Sequence, residues 1–254
     1  MGNEIWHLTD NSNKLPARDV LRNILRDDRK NYDRAESELG EDIKLLDDEM
    51  VLYIKSLRAA YRLIDEWKSN DCNRAAIAMI VSTLNYILLA RHGILLGYYP
   101  EVRDLLRSCY ERISRCHLFS LDDETARRFL VGEQIGQKEV DRKLRSLEEN
   151  PDRRNELYEG LRRYYRFMSD VAHPNLKSFE ARYGDKDLGE RVGLQFVIGG
   201  FMSSELGHAS IIRLLQIVLI ALRILGTIIH DESGGWDKEY QQISKRCKEM
   251  VDNL

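Results

Sequence analysis

Helical periodicity runs through almost the whole chain and constrains its fold more than any other feature. Apolar residues recur at spacings of three and four from Ala17 onward, and only 4 prolines in 254 residues interrupt them. The clearest stripe predicts a helix over 41–67 and consists of Leu45, Leu46, Met50, Tyr53, Ile54, Leu57, Tyr61 and Ile64. No strand-like alternation persists long enough to build a sheet. The pattern therefore predicts an all-α fold, a multi-helix bundle of about seven to nine helices.

Capping residues divide the periodic sequence into further helices. The segment SNDCN stops the first long helix and caps a second over 75–96. Gly97 ends this second helix, and Pro100 opens the next one, which reaches to about residue 119. Asp122 is placed to cap a shorter helix. Further helices fit residues 138–147, 152–172, 203–229 and 236–251.

The expected domain organisation is a single unit. We expect an irregular segment over 1–15 and one helical domain over 16–254, with its core at about 75–230 and peripheral helices at both ends. The segment 75–96 is apolar around much of its circumference, so it is expected to be central. The polar C-terminal helix is expected to lie outside.

The most apolar run of the sequence covers 209–229 and predicts a buried core helix. Arg213, Gln216 and Arg223 interrupt it every turn or two, whereas a membrane helix needs about twenty residues almost free of charge. The N-terminal sequence has no apolar core of the kind that a signal peptide requires. These features predict a cytoplasmic protein without a membrane span.

Charge, cysteine spacing and motif content narrow the possible functions. The net charge is −3, whereas proteins that hold duplex nucleic acid through many phosphates are usually basic; a small local phosphate site is still allowed. The four cysteines form no CxxC pair and are expected to be buried, reduced thiols: Cys72, Cys109, Cys116 and Cys247. No P-loop, G-x-G-x-x-G, H-E-x-x-H or G-x-S-x-G motif is present, so we expect no nucleotide cofactor and no zinc protease chemistry.

A polar face lies at the end of the helix predicted over 152–172. Successive helix residues are rotated by about 100°, so a set of polar residues shares the side of Arg166. This set consists of Arg162, Ser169, Asp170 and His173. The opposite side is mostly apolar, which predicts that one face packs while the other presents a guanidinium, a hydroxyl, a carboxylate and an imidazole.

This combination of side chains can bind and cleave a phosphodiester. Arg166 would hold a phosphate by charge-assisted hydrogen bonds, and His173 would move a proton to or from a ribose hydroxyl or leaving oxygen. Asp170 would orient the imidazole. Pro174 disfavours the helical conformation for His173, which is therefore expected at the helix end. The competing interpretation is an ordinary solvated face with an i,i+4 pair of Arg166 and Asp170.

The spacing of Arg166 and His173, an Arg-x6-His, resembles the motif of the HEPN superfamily, whose helical members include metal-independent RNases. The stretch YYRFMSDVAHPN also resembles prokaryotic helical proteins in which an earlier helix carries Arg and Glu; here that helix is LLRSCYERISRCHLF, with Arg107 and Glu111. The family commonly places a polar residue after the arginine, where this chain has Phe167, and the spacing is at the long limit of the motif.

The resemblance implies cleavage of RNA by attack of a ribose 2′-hydroxyl. Arg166, His173 and Asp170 would form the catalytic set, with no cofactor. Arg162, Ser169, Arg107 and Glu111 would bind RNA or a nucleotide phosphate. The resemblance also implies a homodimer that brings two motifs together, in a toxin or defence system.

Two alternatives remain open at the level of the sequence. The first is a non-catalytic helical interaction or regulatory module with a protein partner, favoured by the acidic net charge. The second is a carboxylate–histidine metal site, because Glu205-x-x-His208 and Asp170-x-x-His173 have the spacing used in di-iron bundles, with Glu111 as a further ligand. His117 lies in the apolar stripe of its helix and is expected to be a core histidine with a hydrogen-bond partner.

Overall fold

The computed structural model describes residues 17–63, 70–148, 165, 203–229 and 235–252. The regular elements in these ranges are all helices, which confirms the all-α, multi-helix prediction. They are α1 (Ala17–Arg62), α2 (Asp71–Leu96), α3 (Tyr99–Leu121), α4 (Asp123–Leu130), α5 (Gln137–Glu148), α6 (Ser204–Ile229) and α7 (Gly235–Asp252). The irregular segment predicted over 1–15 lies outside the described residues, and the single domain stays a prediction.

The predicted helix ends are formed by the residues that the sequence indicates. The side chain of Asn70 accepts a hydrogen bond from the backbone N–H of Asn73 at the start of α2. Gly97 ends α2 at a φ of 78°, a left-handed conformation that costs glycine least. Asp122 accepts from the N–H of Thr125 and caps α4, and Ser203 accepts from the N–H of Leu206 and caps α6.

Helix α1 consists of two helical segments joined at a kink. The sequence is helical in pattern from Ala17 and predicts a long helix that begins at about residue 41, and the kink lies close to that residue. The backbone of α1 departs from helical angles at Leu39, with φ −120° and ψ 15°. Leu39 is buried against Gly207 of α6, where an added Cβ would lie 2.5 Å from the Cδ1 atom of Leu39. The break in α1 therefore lies where Leu39 packs against Gly207 of α6.

Helix α6 is the core of the described structure, as the sequence predicts. It contacts α1, α2, α3 and α7, and most of its residues are buried. Both α6 and α2 are long and apolar enough to cross a membrane by length and composition alone. The buried share of the most apolar window is 78% in α6.

The prediction that the segment 75–96 is central is wrong. Only 33% of the most apolar window of α2 is buried. One side of α2 packs on α3, with further contacts to α1, α4 and α6. The other side leaves Val81, Leu88 and Leu89 exposed. Apolar composition thus predicts that this segment is helical, but not how much of the helix its neighbours cover.

Helix α7 is peripheral, as predicted, and packs against α6 and α1. Trp236 lies directly over Gly226 of α6, and its Nε1–H donates to the Ser56 hydroxyl of α1 at 2.8 Å. Ile243 and Cys247 are buried, whereas much of the remaining helix surface is exposed. A narrow apolar stripe therefore attaches this polar helix to the rest of the structure.

Candidate functional site

A partly buried charged cluster lies on α3. Arg107 and Glu111 are one turn apart, and Nε of Arg107 donates to Oε1 of Glu111 at 3.2 Å. Their side chains are 28% and 27% exposed. These two residues therefore form a partly buried i,i+4 ion pair. Partial burial weakens solvent screening, so the charges interact more strongly than an exposed i,i+4 pair would.

Arg115 supplies a second guanidinium to the same carboxylate. It lies one turn beyond Glu111, with its NH1 atom 4.0 Å from Oε2 of Glu111. It also donates to the backbone carbonyls of Glu111, at 3.0 Å, and of Ile135, at 3.2 Å. The carboxylate of Glu111 therefore lies between two arginines, and the three side chains together carry a net positive charge.

Tyr165 extends this cluster from a different part of the chain. Its hydroxyl donates to Oε1 of Glu111 at 3.1 Å. Its ring stacks on the buried Tyr110, with 4.4 Å between the ring centroids and 22° between the planes. The guanidinium of Arg107 lies 5.9 Å from the centroid of the Tyr165 ring. Stacking, a hydrogen bond and a cation–π contact thus hold Tyr165 on α3.

The electrostatics of the cluster keep Arg107 charged. Partial burial lowers the pKa of Arg107, but the hydrogen bond to Glu111, the neighbouring Tyr165 and the negative charge of Glu111 raise it further, so the net shift is upward. A guanidinium that stays charged and is partly shielded from water is suited to bind a phosphate oxygen.

The structure brings together two of the predicted site residues, Arg107 and Glu111. The other five lie outside the described residues: Arg162, Arg166, Ser169, Asp170 and His173. Their convergence into one site stays a prediction.

Two members of the cluster were missed in the sequence, Arg115 and Tyr165. Arg115 is four residues after Glu111, a spacing that places it on the same side of a helix. Tyr165 precedes Arg166 and is rotated by about 100° from it on a helix, between the polar and apolar sides. Two sequence signals therefore indicate these residues: a basic residue one turn after Glu111, and a tyrosine at the border between the polar and apolar sides of the predicted helix.

Arg112 and His117, a second Arg-x4-His pair, do not form a site. Arg112 faces α2, where it donates to the Ser82 and Tyr86 hydroxyls at 3.2 and 2.9 Å and lies over the Tyr86 ring. Burial, helped by the positive charge of Arg223 on α6, lowers the pKa of His117 to about 4. A largely buried histidine that is neutral at pH 7 agrees with the predicted core position.

The described residues give no support to the metal alternative. His208 pairs with Asp42 of α1 through its Nδ1 atom, while Glu205 is exposed in the first turn of α6. Within the described ranges, no group of three or more histidine, cysteine, aspartate and glutamate side chains is placed to hold a metal ion. Asp170 and His173, the other half of this hypothesis, lie outside those ranges.

The cysteines agree with the prediction except for Cys72. All four are free thiols, and Cys109, Cys116 and Cys247 are buried, whereas Cys72 is partly exposed near Asp123. Burial raises the pKa of Cys109 to about 12 and that of Cys116 further still. These thiols are protonated at neutral pH and are poor nucleophiles.

The α3 cluster is therefore a partly buried, net positive group of side chains that contains its own counter-ion, Glu111. Glu111 orients Arg107 and Tyr165, while Arg115 is held by backbone carbonyls on the other side. Comparison with known proteins yields no match to a family model, a curated protein or a solved structure.

Proposed function

We propose that this protein is an HEPN-like RNA-binding protein that cleaves RNA without a metal ion, as part of a toxin or defence system. The observation that supports the proposal is the contact between Tyr165 and Glu111. Tyr165 directly precedes Arg166 in the sequence, and it is held against the Arg107–Glu111 pair that the resemblance associates with the motif.

In this proposal the predicted polar face supplies the chemistry. Arg166, with Arg162 and Ser169, would hold the scissile phosphate. The ribose 2′-oxygen would attack phosphorus as its proton leaves, and the 5′-oxygen would depart with a proton from an acid. His173 would serve in these proton transfers because an unperturbed imidazole gains and loses a proton near neutral pH, and Asp170 would orient its ring.

The described cluster would support this chemistry in two ways. Arg107 and Arg115 would add positive charge beside the phosphate, which stabilises the charge that develops as the 2′-oxygen attacks. Glu111 would position Arg107 and Tyr165 rather than touch the RNA, because its Oε1 atom already accepts hydrogen bonds from both.

The test is cleavage of a labelled single-stranded RNA in the presence of EDTA by the wild type, Arg166→Ala and His173→Ala. We expect the wild type to cut, and each variant to lose activity by about 100-fold or more, as is typical when a general acid–base or phosphate-binding group is removed. His92→Ala is the matched control, because His92 is exposed on α2 and is not among the proposed site residues. Equal cutting by wild type and His173→Ala, or none by the wild type, would overturn the proposal.

The resemblance also leads us to propose a homodimer and a cytoplasmic location. Sedimentation velocity on the purified protein tests the dimer directly. If the protein neither binds nor cuts RNA, a non-catalytic interaction module becomes the better explanation, and a protein partner would then be the expected ligand.

A further inference from the structure

Exposed apolar side chains are concentrated on two neighbouring helices. Within the described residues, seven of the nine large apolar side chains that are exposed lie on α1 and α2. Apart from Leu25, near the start of α1, they are Val51, Ile54, Tyr61, Val81, Leu88 and Leu89. Single exposed apolar residues are normal on a protein surface, but a contiguous set on adjacent elements marks an interaction site.

These helices form an antiparallel pair with a groove between them. Asp47 of α1 pairs with Arg91 near the end of α2, at 2.6 and 2.8 Å. Further along α1, the Tyr53 hydroxyl donates to the carbonyl of Ile80, earlier in α2. The α1–α2 groove is an open concavity of about 340 Å³ lined by Ile54, Leu57, Arg58, Tyr61, Arg62 and Leu84.

The dimensions of the apolar stripe suit a short helix. From Val51 to Tyr61 the stripe on α1 spans ten residue steps, which is about 15 Å or nearly three helical turns. A third helix that packs against an antiparallel pair places its residues at i, i+4 and i+7 into such a groove. The exposed leucine and valine side chains of α2 would then form the far wall.

The charge of the groove specifies the partner further. Arg58 and Arg62 line it one turn apart, and no acidic residue is among its lining residues. Within the described part of the chain, neither arginine makes an ion pair. By contrast, Lys55 on the same helix pairs with Glu239 of α7. The groove thus combines apolar lining side chains with two arginines that have no acidic partner among the described residues.

We propose that the α1–α2 groove is the docking site for an acidic amphipathic helix of another protein. The apolar face of this helix fills the groove, and its flanking carboxylates pair with Arg58 and Arg62. The proposal is independent of RNA cleavage, because the α3 cluster shares no residue with the groove.

The binding experiment uses two designed, fluorescein-labelled helical peptides and the full chain. Both peptides carry leucine at i, i+4, i+7 and i+11; one has glutamate and the other lysine at the flanking positions. We expect the glutamate peptide to bind at least about 10-fold more tightly in fluorescence anisotropy, because like charges face each other in the lysine complex. Equal affinities, or no binding of the glutamate peptide, would overturn the proposal.

Variants of the groove test the assignment of its residues. The double variant Arg58→Glu/Arg62→Glu is expected to reverse the preference, so that the lysine peptide binds more tightly. Tyr61→Asp is expected to weaken the binding of both peptides. The variant is expected to fold normally because Tyr61 is 71% exposed. Val131→Asp is the matched control, since Val131 is 83% exposed outside the groove and its change is expected to alter neither affinity. Unchanged binding by Tyr61→Asp would remove the groove as the site.

Two further measurements distinguish other occupants of the same surface. In sedimentation velocity, a dimer that Tyr61→Asp dissociates would assign the groove to a second copy of this chain and overturn the proposal. Cosedimentation with phosphatidylcholine–phosphatidylserine vesicles that Tyr61→Asp abolishes would assign it to a lipid surface, with the same consequence. The proposal requires that Tyr61→Asp change neither the sedimentation of the protein nor its cosedimentation with vesicles.

Discussion

The thiol of Cys247 on α7 donates a hydrogen bond of 2.7 Å to Oε1 of Glu49 on α1, and both side chains are buried. The second carboxyl oxygen of Glu49 has no hydrogen-bond partner within the described structure. Burial raises the pKa of Glu49 well above its usual 4.5, although the Cys247 hydrogen bond and the positive charge of Arg246 lower it in part. The interface between α1 and α7 therefore holds a neutral carboxyl group at moderate pH.

The first prediction concerns the stability of Glu49→Gln against pH. In the unfolded chain Glu49 ionises at its usual pKa of 4.5, whereas in the folded protein it stays neutral to a higher pH. The wild type therefore loses stability as the pH rises above about 4.5. The loss is up to about 1.4 kcal/mol per pH unit until the pKa of the folded state is reached. Glutamine resembles the neutral acid and does not ionise. We therefore expect the free energy of unfolding of Glu49→Gln, measured with urea, to rise relative to that of the wild type as the pH increases from 5 to 8. The control is Glu36→Gln, exposed on the same helix, and a pH-independent difference for Glu49→Gln would contradict the prediction.

Asp122 is expected to show the opposite pH dependence. Burial raises its pKa, but hydrogen bonds from Lys143 and Thr125 lower it further, so the net shift is downward. The ionised Asp122 therefore stabilises the folded protein at neutral pH, and this stabilisation is lost as the pH falls below the usual pKa of 3.8. Asp122→Ala should cost about 1–2 kcal/mol at pH 7, as caps do, and less at pH 3.

Asn70→Ala is the matched control for Asp122, because Asn70 caps α2 through a single side-chain hydrogen bond but does not titrate. Its cost should be about 1 kcal/mol and nearly constant with pH. Guanidinium chloride unfolding followed by circular dichroism gives both values. If the loss in free energy of unfolding caused by Asp122→Ala became larger at acid pH, the prediction would be contradicted.

Two glycine-to-alanine changes in helices are expected to have opposite signs. At Gly226 an added Cβ would lie 2.3 Å from the Trp236 ring, so alanine must displace the indole and its hydrogen bond to Ser56. We expect Gly226→Ala to destabilise the protein by about 1–3 kcal/mol, despite the better helix propensity of alanine. At Gly40 nothing lies within 4 Å of an added Cβ, so Gly40→Ala should stabilise it by about 0.5–1 kcal/mol. Thermal unfolding measures both, and two changes of equal sign would show that packing at Trp236 does not decide the outcome.

The hydrogen bond between Tyr165 and Glu111 is expected to couple the two residues. Tyr165→Phe removes the hydroxyl but keeps the ring that stacks on Tyr110, so its cost should be about 0.5–1.5 kcal/mol. A double-mutant cycle with Glu111→Gln should yield a coupling energy of about 0.5–1.5 kcal/mol. Strict additivity of the two changes would show that this hydrogen bond does not hold Tyr165 on α3. Tyr86→Phe, which pairs with Arg112 instead, is the control and should be additive with Glu111→Gln.

The helices and their ends follow from interactions that are local in the sequence. Gly97 ends α2 because a left-handed residue is needed there, and Asn70, Asp122 and Ser203 cap helices because their side chains reach backbone N–H groups three residues on. The kink of α1 at Leu39 likewise lies close to residue 41, where the apolar stripe predicts a helix to begin. That Leu39 packs against Gly207 could not be predicted from such local signals.

Local sequence signals also predict part of the candidate site. Arg107 and Glu111 are one turn apart, so their pairing could be predicted from helical geometry. Tyr165 could not be assigned to Glu111, because 54 residues separate the two in the sequence and no local pattern specifies which helix faces which.

The amino-acid sequence by itself determined that this chain is helical, where most of its helices begin and end, and that residues 209–229 form a core helix. Periodicity and capping act over one or two turns, and those distances are contained in any short stretch of sequence. Tertiary packing decided that α2 keeps an apolar side uncovered, that Glu49 is buried beside Cys247, and that Tyr165 lies on α3. Burial depends on which neighbours cover a side chain, and those neighbours come from distant parts of the chain.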